Sequence, residues 1–556
     1  MIHIALLAAA LLILAFLCWC FGPHTHLPRF RIRYLRTRLY LRLHPGRGHA
    51  STIELWLRWG RLAAFHRSRR SRRSLPAWRR LRQPDQHSLV IGRAHYGHRL
   101  RVPVEEHILI MAPPRTGKTG LLAKIILHYP GPVVSTTTKH DVFELTSGIR
   151  SRFGAVQVFN PQRIGGVPST FRWNPVDGCE EPATAIRRAD GFANAVSMTG
   201  TEDASFWSSK ASSYLRCLFH AAAIAGRDMR TVAGWALGNA EPAEDILARA
   251  GASQWALELA ELRSEAQKTA QTIRMVITRA LAFMADPALA RSALPAADAP
   301  GFDIAAFLRQ SGTLYLIAEA EHDDSPVAPL FAAMVGEIHH LAAQLGQAQR
   351  GGRLDPPLLM ALDEIVQTCP VPLPAWLADS GGKGIQLIPV AHGEAQLRTR
   401  WGKDGAQVVL DTCGVKGWLP GITDTATLKM ASELCGQASF RERGWWRRDR
   451  HRIWHDVMTP DMIRQLPARH ALVIRGSFAP VIARLGAAWQ DPSYRNARRL
   501  GITVAPIPAP WNPSPASRQL ATAAPLWPHL TVVPDLDGSP ADDPPDRTAS
   551  PSYPWS

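Results

Sequence analysis

The stretch HILIMAPPRTGKTGLLAKIIL, His107 to Leu127, decides how this chain is read. His107-Ile108-Leu109-Ile110-Met111 is a short apolar run suited to a buried parallel strand. Leu121 to Leu127 reads as a helix that closes at Tyr129-Pro130-Gly131-Pro132. Between them lies APPRTGKT, the residues Ala112, Pro113, Pro114, Arg115, Thr116, Gly117, Lys118 and Thr119. Strand, loop and helix in that order are the setting a phosphate-binding loop requires. Backbone N–H groups around Arg115, Thr116 and Gly117 are expected to face phosphates, helped by the helix N-terminus. Lys118 is expected to reach the β- and γ-phosphates of ATP, and the Thr119 hydroxyl to bind Mg²⁺. Alanine stands where the first glycine is usual, a departure of one methyl group at the point where the strand leaves for the loop.

Such a site needs a metal-side carboxylate and a base from elsewhere in the chain. LDPPLLMALDEIVQ offers both: Leu358 to Leu362 is an apolar strand that ends in Asp363-Glu364. Asp363 is expected to orient the Mg²⁺ shell, and Glu364 to polarise the attacking water. Taken alone, the pair also reads as two solvated acids at a strand end; the loop upstream favours the catalytic reading.

Residues 120–357 separate the two motifs. Much of Pro182 to Pro295 is alanine-rich with helical patterning, as in ILARAGASQWALELAELRSEAQKTAQTIRMVITRALAFM, and strand signals resume at Gly312 to Ala320. The expected fold class is therefore α/β, a RecA-like P-loop core with an inserted all-α subdomain. The expected partition has the nucleotide-binding domain in two parts, 88–180 and 301–490, around a helical insertion at 181–300. Ahead of these are a transmembrane anchor at 1–22 and a basic juxtamembrane region at 23–87, and a disordered proline-rich tail follows at 491–556.

The chain has 556 residues, 46% of them hydrophobic, so most of it can fold into more than one unit. Its formal charge of +18 points to a polyanionic partner or to a topogenic run beside a membrane helix. Between Arg29 and Leu100 the only acids are Glu54 and Asp85. MIHIALLAAALLILAFLCWCF is long enough to cross a ~30 Å hydrocarbon core as a helix. Its basic residues follow the apolar run, which favours a permanent anchor with the bulk of the chain in the cytoplasm, at the plasma membrane. RFRIRYLRTRLYLRLHPG is ambiguous between strand and helix and should lie near anionic head groups, while Arg67 to Arg82 reads either as a nucleic-acid contact or as a solvated linker. The seven cysteines have no zinc or disulfide spacing, as suits a reducing cytosol.

Further blocks give the pattern a family. Gly382-Lys383-Gly384-Ile385, the strand Gln386 to Val390 and His392-Gly393-Glu394-Ala395-Gln396-Leu397 follow the second motif. DTCGVKGWLPGITDTATLKMASELCG and VMTPDMIRQLPARHALVIRGSFAPVIAR come next, and Asn174-Pro175 in FRWNPV precedes them. In this order, over roughly Val90 to Arg484, they resemble the type IV secretion system coupling proteins, the TraG/VirD4-like ATPases of conjugative DNA transfer. The patterning is most similar to the actinobacterial branch.

The resemblance implies a membrane-anchored ATPase that recruits and moves single-stranded DNA or a nucleoprotein. Its implied partners are the secretion channel and relaxosome proteins, and its implied form is a homo-hexamer with ATP at subunit interfaces. His392 stands where the family has a nucleotide-sensing glutamine; either His392 senses, or it is structural and Gln396 senses. Arg274 and Arg279 are candidates for the arginine that completes a neighbour's site, and both also read as solvated helix faces. RERGWWRRDRHRIWHD, Arg441 to Asp456, reads equally as a strand-binding loop or an exposed insertion. Two rival functions stand beside this one: a protein-export motor, and a membrane adaptor that binds nucleotide without turnover.

Overall fold

A computed structural model describes residues 48–198, 203–295, 301–319, 325–349, 351–441 and 452–505. The apolar run, the basic segment 29–42, the loop within 442–451 and the tail beyond 505 lie outside the described residues. Among the described residues, no helix is long and apolar enough to cross a membrane.

The strands are β1 (Ser88–Arg93), β2 (Arg99–Pro103), β3 (Ile108–Met111), β4 (Val133–Thr137), β5 (Val156–Phe159), β6 (Thr313–Ile317) and β7 (Leu358–Leu362). They continue with β8 (Ile385–Ala391), β9 (Val415–Trp418), β10 (Gln437–Arg441), β11 (Arg452–Asp456), β12 (His470–Arg475) and β13 (Val481–Leu485). Eleven form one sheet in the order β2-β1-β13-β12-β9-β3-β8-β7-β4-β6-β5, and β10 pairs with β11 in a separate hairpin. From β9 to β5 every pairing is parallel; β2, β1, β13 and β12 extend the sheet antiparallel. The parallel strands β3, β4, β6, β7 and β8 are buried along their whole length, because crossover helices cover both faces. Their sequences are accordingly continuous apolar runs rather than alternating ones.

Helices follow one another from Pro182 to Ser292, between β5 and β6. Helix Pro182–Asn194 packs on Ala204–Ile224 and on Ala328–Ala348, which returns to the sheet. Arg187 and Arg188 meet Glu337 on that returning helix at 3.3 and 3.4 Å. Asn174 at the entrance donates to Asp177 Oδ1 at 2.5 Å, and Arg188 donates to the Pro175 carbonyl at 2.8 Å. Asn174-Pro175 is thus a structural junction between sheet and insertion.

Two boundary expectations need correction. Residues 492–499 are not disordered: Pro492–Arg499 is a helix, capped by Asp491, which accepts from Ser493 N–H, and packed on the helix Asp141–Arg150. The end of the region taken as linker is also folded. The helices Leu55–Trp59 and Arg61–Ser71 pack on β2, with Leu55, Trp59 and Ala64 buried, and Ala77–Arg82 packs on Arg61–Ser71. Arg72 donates to Asp355 Oδ1 at 2.7 Å, and the Ser74 N–H donates to Asp355 Oδ2 at 2.7 Å. An assay on a fragment beginning at Ser88 would leave Asp355 without these partners, so the full chain is the proper material.

A buried histidine and a half-buried one set an acid limit on stability. Leu387 N–H donates to His107 Nδ1 at 3.1 Å, and burial pulls the His107 pKa from 6.5 to about 4. His339 stacks on Trp376 with ring centroids 4.0 Å apart, and burial lowers it to about 3. Because both folded values lie below the unfolded one, the unfolded chain takes up these protons first as pH falls. Stability is therefore full above pH 6.5 and drains away below it, and the His107 share is spent by about pH 4. His107 alone accounts for about 3 kcal/mol over that interval. Urea midpoints measured at several pH values should fall through this window, and less steeply in His107→Gln; parallel curves would remove His107 as the cause.

Candidate nucleotide-binding site

The sheet order brings the motifs together. β8 lies between β3 and β7, so three adjacent carboxyl ends present, in turn, the loop after Met111, His392 after Ala391, and Asp363-Glu364 after Leu362. A crevice at the carboxyl ends of parallel strands is where α/β sheets bind ligands.

The loop has the backbone its motif requires. Arg115 (φ 63°) and Gly117 (φ 99°) are both left-handed, and Gly117 is the N-cap of the helix Lys118–Leu127. The Thr116 hydroxyl closes the loop by donating to the Pro113 carbonyl at 2.7 Å. A Cβ on Gly117 would meet only Arg469 Cγ, at 3.8 Å, so conformation rather than protein packing demands glycine there. Ala112 is fully buried; its N–H donates to the Ala391 carbonyl at 2.9 Å and its own carbonyl faces His392 Nδ1 at 3.1 Å. Its methyl group is buried within the protein.

Gly120, one turn into the helix, is constrained differently. A Cβ there would sit 2.7 Å from the Trp489 ring. Gly120→Ala must push that ring aside and is expected to cost about 1–3 kcal/mol and to weaken nucleotide binding by displacing the helix that carries Lys118. An unchanged denaturation midpoint would show that the half-exposed ring yields without resistance.

Lys118 reaches both acids. Its ammonium contacts Glu364 Oε1 and lies 3.5 Å from Asp363 Oδ1. Burial pushes the Asp363 carboxyl up and the Lys118 ammonium down, and each charge partly offsets the other's shift. The Thr136 hydroxyl donates to the Asp363 carbonyl at 3.0 Å, and the Thr368 hydroxyl donates to the same carbonyl at 3.0 Å. Glu364 is held at φ 48°, a left-handed conformation that a non-glycine residue adopts at a cost. Among the described residues its Oε2 is buried without a hydrogen bond, and His392 Nε2 stands 3.0 Å away.

His392 is fixed from two sides. The Ala112 carbonyl only accepts, so Nδ1 carries the proton and Nε2 is the atom turned to Glu364. The Gln396 side chain accepts from the His392 backbone N–H at 2.9 Å. It is His392, therefore, that faces the acid, while Gln396 braces the turn. Thr427 accepts from Glu394 N–H at 2.8 Å and donates to Asp424 Oδ2 at 2.6 Å, so the Asp-x-x-Thr element ties down the chain just after His392.

Arg274 and Arg279 are exposed on the helix Gln267–Ala280; Arg279 donates to the Ser197 carbonyl at 3.2 Å. Sequence reasoning assigned nothing to Arg469. It lies beside Gly117 at φ 62°, donating to Gln490 Oε1 at 2.6 Å. Its positive φ is invisible in a sequence, and its place depends on β12 and β13 folding back across the sheet.

Residues 357–468 match the family described as the TraM recognition site of TraD and TraG. Over that segment the chain is similar to the family so described. The fold is similar to that of the bacterial conjugative coupling protein TrwBdeltaN70 in its unbound form, with a TM-score of 0.53 at 18% identity over 69% of this chain and 87% of that one. It agrees equally with the plasmid coupling protein TrwB in complex with ADP and Mg²⁺, at 0.52 and 18% over 70% and 87%. The complex of TrwB with a non-hydrolysable ATP analogue gives 0.51 and 18% over 69% and 86%. No curated protein sequence matches the chain.

Proposed function

We propose that this chain is a membrane-anchored ATPase that couples ATP hydrolysis to recruiting and moving DNA, as single strand or nucleoprotein, through a conjugation apparatus. The observation that supports this most is the convergence of Lys118, Asp363, Glu364 and His392 on one end of the parallel sheet. The donor set suits ATP with Mg²⁺. Thr119 and Asp363 are an oxygen pair of the kind that ion takes, and the buried Glu364 Oε2 has acceptor capacity to spare. When bound, Mg²⁺ would neutralise charge developing on the phosphates.

The chain's own residues would act in a definite order. Lys118 leaves the two carboxylates for the phosphates, and this exchange releases Glu364. The loop N–H groups hold the phosphates in place, Glu364 orients water and accepts its proton, and His392 limits where the carboxylate can turn. A neighbouring subunit's arginine, with Arg274 and Arg279 as candidates, would complete the site in a hexameric ring. DNA would be held through phosphates, with strong salt dependence. The coupling partners are relaxosome and channel proteins, and the matched TraM-recognition segment is where a relaxosome contact is most reasonably sought.

The test is ATP turnover by the full chain with and without single-stranded DNA, beside Lys118→Ala. Turnover that rises with DNA and disappears in Lys118→Ala is expected. DNA-independent turnover would favour protein export, and nucleotide binding without turnover in the assembled oligomer would favour an adaptor.

A further inference from the structure

The helices Arg61–Ser71 and Ala77–Arg82 and the turn at Tyr96 bear an exposed surface that the nucleotide site does not use. Trp56, Leu62, Leu81 and Tyr96 line a groove of about 1030 Å³ there, each between 48% and 55% exposed, and Trp78 stands on the same short helix as Leu81 at 56%. Large apolar groups are seldom left this open together without a partner. Arg61, Arg82 and Arg99 line the same groove. The acids of the region are engaged already: Asp85 holds Arg101 at 2.7 Å and Glu54 holds Arg58 at 3.2 Å. Among the described residues, Arg61, Arg82 and Arg99 make no ion pair. Arg79 lies 5.1 Å from the Trp78 ring centroid, a cation set over an aromatic face.

We propose that this surface docks on an anionic phospholipid bilayer. The inference rests on the anchored reading above, since residues 22–47 join the apolar run to the first described residue. Fully extended, they span less than about 100 Å, so an inserted amino-terminal run keeps this surface near the membrane. The composition selects lipid over nucleic acid. Both would satisfy the arginines and the aromatic faces, but only a bilayer interface also buries Leu62 and Leu81, and Trp and Tyr are the residues that settle at head-group depth. Attraction of this kind fades beyond a Debye length of about 8 Å at physiological salt, so docking needs both the anionic lipid and close approach.

The test uses the full chain in vesicles of phosphatidylcholine with and without phosphatidylglycerol, with Cys18 and Cys20 changed to alanine. The other cysteines within the described residues are buried. An environment-sensitive fluorophore is placed by Leu62→Cys or Trp78→Cys, and by Leu257→Cys on the helical insertion as a control. Spin-labelled lipid should quench most of the emission at 62 and 78 when phosphatidylglycerol is present, and little at 257. Arg61→Glu with Arg82→Glu and Arg99→Glu should abolish that quenching while the protein still floats with the vesicles. Flotation without quenching, or quenching indifferent to lipid charge, overturns the docking surface but leaves the anchor. Failure to float overturns the anchor, and docking survives it only if added anionic vesicles still quench positions 62 and 78. Shielding of these probes by an oligonucleotide in place of lipid would reassign the surface to nucleic acid.

Discussion

Glu364→Gln is expected to lower ATP turnover about 10²–10⁴-fold while nucleotide binding persists. The amide keeps an oxygen for Lys118 and nearly the same volume, so the contact that locates the side chain survives. What it loses is the ability to take a proton from water. The buried Oε2, which has no hydrogen bond among the described residues, is the atom that the proposed mechanism would use for that task. Single-turnover kinetics beside titration with a non-hydrolysable analogue would separate the two effects. Turnover within a few-fold of the parent would assign the base elsewhere and reduce Glu364 to a partner of Lys118. Lys118→Ala differs in kind: it leaves Asp363 and Glu364 as neighbouring buried acids without their shared cation, so binding and local order should both suffer.

The largest effect on stability is expected at Arg150, which is fully buried in the helix Asp141–Arg150. Among the described residues it faces no carboxylate. Its guanidinium donates to the carbonyls of Tyr129 and Gly131, the latter at 2.8 Å, and to the Thr313 hydroxyl at 2.8 Å, with a longer contact to the Ser311 carbonyl. These bonds join the turn before β4 to the start of β6, the pair of strands on which β7 and the acids rest. Burial lowers the Arg150 pKa to about 10, still far above neutrality, so the charge stays and the carbonyl dipoles must solvate it. Arg150→Met fills most of the volume but strands those acceptors, at about 1–3 kcal/mol each. A total loss of about 3–5 kcal/mol is expected, read as a lower urea midpoint with an unchanged slope. A loss below about 1 kcal/mol would mean that water enters and satisfies the turn in its place.

Much of this could be read in the chain because parallel strands declare themselves. Ile108 to Met111 and Leu358 to Leu362 are buried on both faces, so each is a continuous apolar run, and the chemistry follows directly at its carboxyl end. The short juxtamembrane helices were less visible. Their apolar residues are interleaved with arginines, so Leu55 and Trp59, which are core, look no different in the sequence from Trp56 and Leu57, which are exposed. Helix Pro492–Arg499 was hidden in the same way, since its sequence is polar and its order comes from the Asp491 cap and from packing on a distant helix.

By itself the sequence pointed to the phosphate-loop motif, the carboxylate pair, the helical insertion and the α/β class, because each is local and periodic. Only the tertiary structure decided that β8 lies between β3 and β7, and hence that His392 rather than Gln396 faces Glu364. It also decided that Lys118 meets Glu364, 246 positions along the chain, and Asp363 beside it, that Trp489 closes on Gly120, and that Arg469 stands beside Gly117. The physical reason is that strand order and side-chain convergence are set by which apolar faces bury one another, a property of the whole sheet that no short segment encodes.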